Sequence, residues 1–106
     1  MSKITIYNRI KQIYPEFANE NLEILMRFVL EDLQHSYFPS IQFDDLEKDN
    51  DFLTICIFGI CAEYCLTIAN FEDALTWHNK QVNLIKAKVQ KDKEMEERKN
   101  EISRQI

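Results

Sequence analysis

At 106 residues the chain is one domain's worth, enough for a single hydrophobic core and small enough that part of its stability can come from a partner. With 45% apolar residues but one Gly and two Pro, the composition excludes hairpin-rich β folds and glycine-rich phosphate loops alike, and helices joined by short loops are expected. The net charge of −5 conceals thirteen carboxylates against Arg27 and Lys48 between Pro15 and Asp73, and so acidic a middle excludes a phosphate-gripping body, which needs clustered Lys or Arg.

In chain order, Ile6, Ile10, Ile13 and Tyr14 continue from Ile4 on one helical face, and Pro15 stops that helix. Asn19 is the expected N-cap of a second helix, whose Leu22, Leu25, Met26, Val29, Leu30 and Leu33 form the cleanest amphipathic stripe in the chain. From His35 to Asn50 the periodicity dissolves into a loop of aromatic and acidic residues. Its Tyr37, Phe38, Ile41 and Phe43 either tuck back onto the core, the favoured reading, or meet a partner.

Asp49 or Asp51 should cap the third helix, Phe52 to Ala69, which is apolar nearly all the way round and must be surrounded by protein or by lipid. Glu63 inside it, acidic residues before it and an immediate helical continuation argue against a membrane span. Asn70, with Asp73 three residues on, caps a fourth helix after a very tight turn. Phe71, Ala74, Leu75, His78, Val82, Ile85 and Val89 carry its apolar stripe, so the third and fourth helices should form an antiparallel hairpin. Beyond Val89 the stripe fails. Lys91 to Glu101 is mixed-sign charge, with Met95, Ile102 and Ile106 the only large apolar residues of the tail, a helix that pokes out of the core. The fold expected is all-α: a four-helix domain over residues 1–90 with a long, protruding, charged C-terminal helical arm over residues 91–106.

The chemistry-bearing residues point away from catalysis. Cys56, Cys61 and Cys65, odd in number and inside one apolar run, suit a reducing compartment rather than a disulfide framework. Cys61 and Cys65 lie one turn apart and could offer two metal ligands, with Glu63 or His78 as companions, but the repeated spacing of a zinc site is missing and buried thiols are expected. Glu63 needs either a raised pKa for acid–base chemistry or a helix edge facing Lys80, the loop or a subunit interface. With no second convergent polar residue, the edge is expected. The first nine residues lack the apolar stretch of an export signal, so synthesis in the cytosol is the expectation, and no cofactor, metal or enzymatic activity is anticipated.

Two family patterns are visible in the segment Ala62-Glu63-Tyr64-Cys65-Leu66 through Asn70-Phe71-Glu72-Asp73-Ala74-Leu75-Thr76-Trp77-His78-Asn79-Lys80. Its small residues at the helix crossing resemble a single tetratricopeptide repeat, of which the chain has no second copy. Over roughly residues 3–90, most clearly at Ala62, Glu63, Tyr64, Asn70, Phe71, Ala74 and Trp77, it also resembles the head–tail connector, or adaptor, proteins of tailed bacteriophages. The resemblance implies a structural virion protein of the neck, made in the host cytoplasm: a homo-oligomeric ring, typically of twelve copies, between portal and tail proteins, with DNA passing through the channel without specific binding. The acidic middle suits such a channel wall, since like charge lowers its affinity for a duplex. Tyr37, Phe38, Phe43, Trp77, Met95, Ile102 and Ile106 are the interface candidates. The alternative is a small helical protein-binding module or regulator acting as monomer or dimer.

Overall fold

The computed structural model describes residues 2–105, with side chains over residues 3–99. Its elements are α1 (Ser2–Ile13), α2 (Asn19–Ser36), α3 (Asp45–Lys48), α4 (Asn50–Thr67) and α5 (Phe71–Gln105), with no strand among the described residues. The chain is all-α, as its periodicity requires.

α4 is the axis of the fold because its composition leaves it no other place. Leu53, Ile55, Cys56, Ile57, Ile60, Cys61 and Tyr64 point to different sides of one helix and all are buried. The other four helices pack around them. Each such side chain contributes about 1.5–3 kcal/mol on burial, so this helix anchors the core. By length and apolarity α4 could also cross a membrane, but here protein surrounds half of it. Asp49 caps it, its carboxylate accepting from the Asp51 amide at 2.9 Å and the Phe52 amide at 3.5 Å.

Packing explains the details that the periodicity alone misplaces. α2 begins one residue earlier than expected: extended Ala18 occupies the cap position, and Asn19 is the first helical residue. The stretch after α2 is not a plain loop, because Leu46 is driven into the core and carries a single turn of helix, α3, with it. Ile41 also tucks inward, its carbonyl accepting from Gln34 Nε2 at 2.7 Å.

The α4–α5 turn is tight, as its few residues demand. The Asn70 amide reaches back to the Cys65 carbonyl at 2.8 Å and the Ala69 amide to that of Leu66 at 3.2 Å, which forces Ala69 to φ 58°. Asn70 then caps α5: its side chain accepts from the Asp73 amide and donates to the Asp73 carboxylate. α5 continues unbroken through position 90, for about 52 Å at the usual helical rise. The molecule is accordingly elongated, 57 × 29 × 23 Å.

Candidate interaction surfaces

α5 lies against α4 on a face rotated away from its most apolar one. Ala74, Gln81, Ile85 and Lys88 are buried, whereas Phe71 and Leu75 are exposed. Two polar residues inside and two large apolar residues outside invert the usual preference, and that inversion is the informative feature of the helix. Gln81 is accommodated by Gly59: a Cβ there would lie 2.5 Å from Gln81 Nε2 and 2.8 Å from Val29 Cγ1. The missing side chain lets α2 and α5 both close onto α4, and Gln81 Nε2 donates to the Ile55 carbonyl at 3.3 Å. Lys88, 9% exposed, reaches Asp49 at 2.8 Å and Asp92 at 3.5 Å, with its ammonium 4.8 Å from the Phe52 ring centroid. Burial pushes the Asp49 carboxyl up, but Lys88 and the two cap amides outweigh it and hold the group below its ordinary value. Lys88 is raised, first by its hydrogen bond to Asp49 and against the opposing effect of burial.

Above Gly59 the walls part to leave a cleft of about 200 Å³ between α2, α4 and α5, lined among others by Phe28, Asp32, Ala62, Glu63 and His78. Phe28 is 55% exposed and Ile24, one turn earlier, 71%. Leu66, one turn beyond Ala62, and Leu75, one turn before His78, extend the same apolar face along α4 and α5. Glu63 thus sits at a helix edge, facing Asp32 and His78 rather than Lys80, whose ammonium lies over the Trp77 ring at 4.7 Å. Burial raises the Glu63 pKa, the Asp32 charge adds to the effect and His78 opposes it. Neither carboxylate forms an ion pair among the described residues.

The interface candidates are dispersed rather than gathered. Tyr37 is exposed at the end of α2, while Phe38 is half-buried, edge-on to Phe52 with centroids 5.0 Å apart. Phe43 is half-buried beneath the Lys3 ammonium. Trp77 is half-buried and committed to its own chain: its Nε1 donates to the Tyr14 hydroxyl oxygen at 2.7 Å, and its ring packs on Phe58 and Tyr14. That hydroxyl also accepts from Cys65 Sγ at 3.1 Å and donates to Asp73 at 3.2 Å, using all of its capacity and tying α1 to the α4–α5 hairpin. Burial, the leading cause, raises the Tyr14 pKa, so the hydroxyl keeps the proton it donates. Met95 is exposed on the arm, and every described side chain from Val89 to Lys99 is exposed. The Ile102 side chain and Ile106 lie outside the described residues.

The cysteines belong to the core. Burial pushes the Cys56 and Cys61 thiols up to about 12, and Cys65 is raised as well, in part against its hydrogen bond with Tyr14. No cluster of three or more His, Cys, Asp or Glu side chains suited to a metal is gathered among the described residues. The exposed apolar face was missed by the stripe pattern, although one signal was present. Ile24 and Phe28 fall at i, i+4 outside the α2 stripe, two large apolar residues on the wrong side of an otherwise clean helix. No family model, curated protein or solved structure matches the chain.

Proposed function

We propose that the protein is a structural assembly subunit rather than an enzyme, and specifically a head–tail connector component that forms a ring between portal and tail proteins around a DNA channel. The observation that carries this reading is the arm. α5 leaves the body near Lys91, which pairs loosely with Asp51 at 3.9 Å, and continues to Gln105, its described side chains exposed through Lys99. Most helical stability in proteins comes from tertiary packing, and the described side chains of the arm are exposed, so the arm is best explained by a surface that receives it. The acidic body supports the channel role, since it favours passage of a duplex over retention. A virion location follows from that role.

Deleting residues 91–106 tests the proposal. The body should keep its helicity and cooperative melting, while self-assembly and capture by a portal ring are lost. An arm-deleted protein that assembles like the full chain would refute it. The exposed face along Phe28, Leu66 and Leu75 also supports a second reading, a helical binding module acting as monomer or dimer, which predicts a partner-dependent complex and indifference to the portal.

A further inference from the structure

Among the described residues two apolar features have no cover within their own chain, and they complement each other. The first is the cleft between α2, α4 and α5, lined by Phe28, Ala62 and His78 with the carboxylates of Asp32 and Glu63, and continued along the helices by exposed Ile24, Leu66 and Leu75. The second is the face of the arm around Met95, which is 52% exposed and shares its surface with Asp92, Glu96 and Lys99. Past Glu96 and Glu97, Arg98 and Lys99 place two cations about one turn beyond Met95, and the cleft offers an apolar wall with two carboxylates beside it.

The arm cannot fill its own cleft. Leu75 and Met95 stand twenty residues apart on one continuous helix, about 30 Å along a rigid rod, so any contact between them has to come from another copy. The dimensions agree. Residues 92–105 span about 21 Å, and the α2 face from Ile24 to Asp32, which includes the cleft wall, about 12 Å, so the arm covers it with a turn or more to spare.

We propose that the arm of one copy docks into the α2–α5 cleft of the next, Met95 seating against Phe28 and Leu66 while Arg98 and Lys99 reach Asp32 and Glu63. The contact rests on the assembly reading and names its surfaces. Because arm and cleft are different patches it is heterologous, and repeated from copy to copy it closes into a ring or runs on as a filament.

A complementation experiment tests this directly. Phe28→Glu disables the cleft and leaves the arm intact; Met95→Glu does the reverse. Both positions are more than half exposed, so both variants should keep wild-type helicity by circular dichroism, and Leu75→Glu serves as a second cleft variant should Phe28→Glu melt early. By native mass spectrometry, wild type should form a closed oligomer, and each variant alone should remain at 12.7 kDa. An equimolar mixture of the two should give a species of twice that mass and nothing larger, since one intact arm and one intact cleft remain to be matched. A mixture that stays monomeric, or either variant assembling alone as wild type does, overturns the contact. A wild type that is monomeric by itself yet gathers on a portal ring overturns it too, and leaves the connector reading standing. A wild type that ignores the portal as well ends both.

Discussion

Tyr14→Phe isolates the bracket that holds α1 to the hairpin. The ring and its packing on Tyr64, at 5.4 Å between centroids, and on Trp77 are kept, so the hydroxyl alone is removed. Three bonds go with it: the indole donor at 2.7 Å, the thiol donor at 3.1 Å and the Asp73 acceptor at 3.2 Å. Water can replace the bond to half-exposed Asp73, and a thiol is a weak donor, so the indole dominates; one lost bond and one stranded donor together cost about 2 kcal/mol. For a domain of this size that lowers Tm by about 10 °C. Thermal melts by far-ultraviolet circular dichroism measure it, and Trp77, the single tryptophan, reports the same event through a shift in its emission. Tyr7→Phe is the control: among the described residues its hydroxyl serves only an exposed bond from Lys11, and stability should change by less than about 0.5 kcal/mol. A Tyr14→Phe protein that melts within about 2 °C of wild type, with unchanged emission, would refute the bracket, since that shift is well under 1 kcal/mol.

Ala69→Gly should stabilise the fold by about 0.5–1 kcal/mol, because a left-handed Ala is strained and glycine is not, less the extra freedom glycine gives the unfolded chain; urea titration checks it. The Asp49–Lys88 pair sets a pH window. Asp49, lowered on folding, contributes stability that is present above the ordinary Asp value of about 3.9 and is lost as pH falls through its folded pKa. Lys88, raised on folding, contributes stability that is present below about 10.4 and is lost as pH rises through its folded pKa. Asp49→Asn should cost about 2 kcal/mol at neutral pH by leaving the buried ammonium with Asp92 alone, and it should flatten the acid limb of a stability–pH profile. The three thiols should resist maleimide in the folded protein at pH 8 and react fully in urea; rapid labelling of Cys56 or Cys61 in the native state would contradict their burial.

The helices were legible in the sequence because local signals and packing agree there. Pro15, Asp49 and the Asn70–Asp73 pair are punctuation that backbone chemistry dictates, and an all-round apolar segment can only be central. α3 was not legible: Asp45 to Lys48 is polar but for Leu46, and it is the burial of that one side chain, a tertiary effect, that makes the turn helical. The rotation of α5 was hidden for a related reason. Periodicity weighs hydrophobicity alone, whereas Gly59 opens a slot that takes Gln81, and Asp49 waits for Lys88, so two polar residues outcompete Phe71 and Leu75 for the interface. Trp77 illustrates the ambiguity of aromatic residues, which lead cores and interfaces alike; its indole is committed internally, and the exposed apolar face lies elsewhere, along α2, α4 and the start of α5.

Whether this subunit is built for assembly is decided by the mass of the purified 106-residue protein across a concentration series, alone and with a candidate portal ring. A closed oligomer of defined copy number, formed by the protein itself and bound by the ring, is expected. A 12.7 kDa monomer at every concentration, which the portal leaves unchanged, would contradict it.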